Sequence, residues 1–151
     1  MNTLEKIKGK LQNILVELNG RIEIDRDGDF VISVESAHLF IRAIEFGPEE
    51  KKSFMIKFTC PLVMGVPVTP DLAIYVATEG GNYSFGHVHL ILDNEKESKT
   101  GSLYFEYTIF AGDLDMSEVE NAIWMVLFTS SDLDTELHSK FGGKMFGKDA
   151  G

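Results

Sequence analysis

Two histidines set two residues apart, His87 and His89, bring this 151-residue chain nearest to metal chemistry. In the strand-like run FGHVHLIL both imidazoles fall on one face, the spacing that two ligands of a single ion need. Two ligands do not close a site, and a third must come from a spatial neighbour such as His38. Val88, Leu90 and Leu92 occupy the other face, so the histidine face reads as a solvent-facing or rim face, and no metal is expected. Asp25, Asp27 and Asp29 raise a calcium reading in the same way. Counted from Asp25, the sixth loop position is Phe30 instead of Gly, the twelfth is Ser36 instead of Glu, and no helix follows. Asp27-Gly28 reads instead as a tight hairpin turn.

Nucleophilic chemistry has less support. Cys60 is the single cysteine, it lies in an apolar run before Pro61, and core packing is its expected role. No serine sits in a Gly-x-Ser-x-Gly elbow, and Gly80-Gly81 and Gly142-Gly143 lack the spacing of a phosphate-binding loop. The acidic pairs Asp113 with Asp115 and Glu118 with Glu120 stand at a helix start, where the dipole favours negative charge without catalysis. No catalytic residue and no cofactor is expected. The chain reads as a non-enzyme whose function lies in its surfaces.

Composition narrows those surfaces. With 44% hydrophobic residues the chain supports one ordinary core, and one domain is expected over residues 1–143 with a frayed tail over 144–151. A net charge of −10, from 24 acidic against 14 basic residues, argues against nucleic acid and suits a partner with basic or mixed segments. The N-terminal MNTLEKIKGK has no apolar run of signal length, and later apolar runs are broken by charges, Gly or Pro. A soluble, cytoplasmic protein without a membrane segment is expected.

The elements that position these residues follow from periodicity. Leu4, Ile7, Leu11, Ile14, Leu15 and Leu18 recur at helical spacing from Thr3, and Asn19-Gly20 supplies the stop. A short strand at Arg21 to Asp25 and the acidic turn lead into FVISV, where Phe30, Ile32 and Val34 alternate with Val31, Ser33 and Glu35. Strands at His38 to Phe46 and Ser53 to Cys60 complete an antiparallel meander, which Pro61 and Pro67 are expected to end. Thr69-Pro70-Asp71 caps a second helix through Val76 that Gly80-Gly81 terminates. Strands over Phe85 to Leu92 and Ser102 to Phe110 are followed by a helix from Asp115 to Lys140, with a possible interruption at Ser130-Ser131-Asp132. The principal order is α-β-β-β-α-β-β-α, an α+β fold with an antiparallel sheet packed against helices.

One element carries more apolar surface than a single buried stripe requires. In the last helix Val119, Ala122, Ile123, Val126, Leu127 and Ser130 face the sheet, while Trp124, Met125 and Phe128 lie beyond that face. Strand LYFEYTIF likewise has Leu103, Phe105, Tyr107 and Ile109 on one side and Tyr104 and Phe110 on the other. Such surfaces belong either to a thick core or to an interface with another chain.

The stretch Phe85-Gly86, the charged turn, the aromatic strand, Leu114-Asp115, and a helix closing on Leu137 and Phe141-Gly142-Gly143 resembles the second half of the type III secretion chaperone-like and YbjN-like domains of bacteria. Asp27-Gly28-Asp29 before the first long strand also fits. The resemblance implies a homodimer built on the second helix and the following strand, here Asp71 to Val76 and Phe85 to Leu92. It also implies extended polypeptide bound on apolar patches of the sheet and first helix. Leu11, Leu15, Phe54, Ile56, Tyr75, Val88 and Leu90 are the candidate peptide-binding or dimer residues. The expected function is a non-enzymatic protein- or peptide-binding, chaperone-like or regulatory module; the alternative is a small-molecule-sensing domain. An open apolar groove favours the first, an enclosed polar pocket the second.

Overall fold

A computed structural model describes residues 3–94, 96 and 99–147. The chain runs α1 (Thr3–Asn19), β1 (Glu23–Ile24), β2 (Phe30–Val34), β3 (Ala37–Phe46), β4 (Ser53–Pro67), α2 (Pro70–Thr78), β5 (His87–Leu92), β6 (Thr100–Phe110), α3 (Met116–Phe141) and β7 (Lys144–Met145). The fold is α+β, as the alternation of periodicities predicts. All strand pairs are antiparallel, in the order β1-β2-β3-β4-β6-β5, with β7 paired to the far end of β4.

Register sorts the side chains into two faces. Phe30 opposes Ile41, Ile41 opposes Phe58, and Cys60 opposes Phe105, which opposes Val88 in turn. These residues are buried, and α1 and α3 close over them through Leu11, Leu15, Val119, Ile123, Val126 and Leu137. The alternate residues Phe40, Arg42, Lys57, Thr59, Tyr104 and Glu106 fall on the opposite face by the period of two.

Three sequence expectations change. Pro61 does not end the meander: β4 continues to Pro67, and its register against β6 shifts between Pro61 and Val63 and again between Val63 and Val66. Such irregularities let a strand carry a residue that cannot donate a backbone hydrogen bond. Ser130-Ser131-Asp132 does not break α3, which is continuous because Val126, Leu133 and Leu137 keep the buried apolar stripe in phase across it. The segment expected to fray from Lys144 begins as β7, with Met145 opposite Val63 and Phe146 N donating to Leu62 O. Gly143 permits this return, since it has φ +80° and a Cβ there would meet Met64 O at 2.6 Å. Residues 148–151 lie outside those described.

The helix starts are built as their sequences indicate. Thr69 Oγ1 accepts from Leu72 N ahead of Pro70, and Asp115 Oδ1 accepts from Glu118 N at 2.9 Å. That bond, with Ser117 donating to the same carboxylate, holds Asp115 below the usual carboxylate range.

Candidate functional site

α3 carries its buried stripe against the sheet and, because that stripe is narrower than its apolar residue set, leaves an aromatic pair outside. Trp124 is 51% exposed and Phe128 69%, with ring centroids 5.6 Å apart. One helical turn separates them, so they form a ledge. Below it lies an open groove of about 380 Å³, walled by Leu127 of α3, Val34 and Ala37 on either side of the β2–β3 turn, Pro61 of β4 and Phe146 after β7. A smaller depression of about 140 Å³ extends the same wall past Trp124 and Leu127 to Ile123, Ile32 and Leu18 at the end of α1.

The floor of the groove is polar at one point. Ser130 is buried, and its Oγ has no hydrogen-bond partner among the described residues. A buried hydroxyl without a partner is costly, and this one borders the groove. Cys60 lies beside it; burial pushes its thiol up, and the Ser130 hydroxyl nearby acts in the opposite direction without closing to hydrogen-bond geometry. The thiol is therefore held in its neutral, unreactive form. At the rim, the two-residue β2–β3 turn places Glu35 at φ 54°, the single positive φ among the described residues other than glycine. Glu35, Glu120 and Asp134 edge the two depressions with negative charge.

A second concavity, of about 670 Å³, occupies the bare face of the sheet and is lined by Phe40, Arg42, Ile44, Lys57, Tyr104 and Glu106, among others. Charges here are paired within the chain. Arg42 Nε and Nη2 donate to the two carboxylate oxygens of Asp29 at 2.6 and 2.8 Å, and this bond raises the guanidinium pKa further. Asp25 Oδ1 in turn accepts from the backbone N–H groups of Asp27 and Asp29. The acidic run is thus a hairpin turn with the carboxylates of Asp25 and Asp29 engaged.

The concavity beside α3 is an open groove and not an enclosed pocket. The chain belongs to the TY-Chap1 family. Its family model, described as T3SS (YopN, CesT) and YbjN peptide-binding chaperone 1, matches residues 5–149. No curated protein matches the chain. Membership covers both halves of the chain, whereas the wording that suggested it from sequence lies mostly in the second.

The residues that sequence reasoning offered as this family member's binding or dimer surface fare differently. Leu11, Leu15 and Ile56 are wholly buried and Val88 is 3% exposed, so they form the chain's own core and not an open patch. Their strict periodicity identified a buried stripe, which is the commoner reason for periodicity. Tyr75 is also buried: it packs against Phe141 at 5.3 Å, sits under Lys140 Nζ at 5.2 Å, and faces Tyr83 Oη at 3.5 Å. Burial, and then the Tyr83 contact, push its phenol well above the usual range. Phe54 and Leu90 are half-buried against the core. Trp124 and Phe128, left out of that set, are the exposed pair; their signal was apolar excess on the final helix.

Sequence reasoning also missed Glu106. It stands directly opposite His87 in the β5–β6 pair, is 6% exposed, and brings a carboxylate to the two histidines. His38 instead bonds Ser33 Oγ at 2.9 Å and packs edge-on against Phe146.

Proposed function

We propose that the chain captures an extended peptide by laying the peptide's apolar side chains along α3, beneath Trp124 and Phe128, and that it does so as a non-enzymatic homodimer of the cytoplasm. The observation that carries this reading is the exposed Trp124–Phe128 pair, its rings tilted against each other, above an open groove. Two large aromatics on a rigid helix supply contact area at little entropic cost, which is why Trp dominates binding hot spots. The unpartnered Ser130 hydroxyl, shielded in the free chain, supports the same occupant, because a turn of its side chain offers it to the N–H and C=O groups of an extended backbone. Glu35, Glu120 and Asp134 at the rim, and a net charge of −10, select peptides with basic flanks.

A second copy fits the other end of the molecule. α2 exposes Ile74 and the edge strand β5 exposes Ile91, the elements that the resemblance assigns to dimerisation. A lone buried cysteine suits a reducing compartment. Among the described residues no helix is long and apolar enough to cross a membrane.

The test is fluorescence polarisation of labelled peptides that pair aromatic and aliphatic residues with basic flanks. Trp124→Ala and Phe128→Ala should each weaken capture while circular dichroism stays native. Undiminished capture by both folded variants overturns the groove assignment. A sedimentation mass of one chain across micromolar concentrations removes the dimer and leaves the groove standing.

A further inference from the structure

The geometry points to a binding site for one divalent transition cation of the zinc class, held by His87, His89 and Glu106 on the bare face of the sheet. β5 supplies the two imidazoles at alternate positions, so both rings lie on one face. β6 supplies the carboxylate from the position opposite His87. The candidate ligand atoms lie within 4.8 Å of one another.

Distances separate a cation site from a hydrogen-bonded cluster. His87 Nε2 is 3.5 Å and His89 Nδ1 3.6 Å from Glu106 Oε2. A charge-assisted N–H···O bond closes to about 2.7–2.9 Å. Two ligands bound at about 2.0–2.2 Å to a tetrahedral zinc lie about 3.3–3.6 Å apart, the length of a tetrahedron's edge. Both histidine–glutamate separations match that edge. The imidazoles are 51% and 43% exposed, so they can close the remaining edge by side-chain rotation and an ion can enter from solvent.

The carboxylate is fixed before any ion arrives. Glu106 is buried, and Lys57 Nζ contacts Oε1 at 3.3 Å, leaving Oε2 turned to the histidines. Metal-binding carboxylates are commonly oriented by such outer partners. Gly86 allows the strand to start here: at φ +64°, a Cβ would meet Glu106 O at 2.5 Å and the Phe105 ring at 2.8 Å. Two imidazole nitrogens and one carboxylate oxygen suit zinc and its neighbours over magnesium or calcium, which prefer all-oxygen shells. Three protein ligands leave a fourth position toward solvent.

Titration of the untagged, chelator-treated full chain with Zn²⁺, and separately with Co²⁺ as a coordination-sensitive chromophore, tests the site. The expected result is one equivalent per chain, a four-coordinate Co²⁺ absorption spectrum, and a melting temperature that rises with free Zn²⁺. His87→Ala and His89→Ala should each weaken binding by at least about tenfold, since even outer partners of a metal cost that much. Both side chains are about half exposed, so the metal-free melting temperature should move little, and Glu106→Gln provides a near-isosteric third variant. His38→Ala should bind as wild type does. Absence of saturable binding, a stoichiometry of half an ion per chain, or retained affinity in both His87→Ala and His89→Ala overturns the assignment.

Discussion

The groove beside α3 and the bare face of the sheet share two walls, Pro61 and Phe146, yet are built on opposite principles. On the helix side, large apolar groups stand in water with a buried hydroxyl unanswered beneath them. On the sheet side, charges answer one another within the chain: Arg42 with Asp29, Lys57 with Glu106. A surface whose polar groups are already paired gains little from a macromolecular partner. Exposed aromatics over an unpaired polar atom gain a great deal, so unspent interaction marks the binding side more clearly than concavity does.

The strongest way to break that contrast is to truncate one side at a time. Trp124→Ala or Phe128→Ala should lower peptide affinity roughly 30-fold, the effect of losing about 2 kcal/mol at a hot spot. Tyr104→Ala on the bare face should leave affinity unchanged. Equal losses by polarisation titration from both faces would erase the distinction.

A smaller effect tests the pairing itself. Asp29→Asn removes the acceptor charge of a bidentate contact whose carboxylate is mostly buried and whose guanidinium is 55% exposed. Urea denaturation should show a loss of about 1 kcal/mol, shrinking in high salt. Peptide affinity should be unaffected.

Ser130→Ala sharpens the comparison because its two readouts move in opposite directions. Removing a buried hydroxyl without a partner should stabilise the free chain by up to about 1 kcal/mol in urea denaturation. The same change should weaken peptide capture a few-fold. A gain in both would mean that the hydroxyl serves no ligand.

The smallest effect concerns α3, on which the ledge stands. Asp115 has its folded-state pKa lowered by the backbone N–H of Glu118, so its ionised form stabilises the helix start. That contribution is present above the unfolded-state pKa and is lost as pH falls through the folded-state value. The melting-temperature gap between wild type and Asp115→Ala should therefore be widest near neutrality and narrow on acidification below the ordinary carboxylate range.

How far sequence carried this reading depended on the range of each interaction. Helix starts at Thr69 and Asp115 were legible because a cap is a contact between residues three apart. The meander was legible from alternation, and the excess on α3 from counting apolar positions. Glu106 was not legible: its approach to His87 depends on the register set by the connection after Leu92, which composition alone does not specify. Leu11, Leu15, Ile56 and Val88 were misplaced for a related reason. Periodicity shows that a face is apolar, and only the packed chain shows whether its own helices cover it. β7 escaped because two paired residues are too few to leave a pattern.

Trp124 is the chain's single tryptophan, and it stands at the groove's edge. The tryptophan emission of the protein, excited selectively over its 4 tyrosines, therefore comes from this one indole, half immersed in solvent. Its colour and quenching report the water content of the groove without a label. An occupant there should shift the emission to the blue, while events on the sheet's far side should leave the spectrum almost untouched. The molecule thus carries a spectroscopic probe addressed to one of its two faces, and a fluorimeter alone can tell which face a given compound visits.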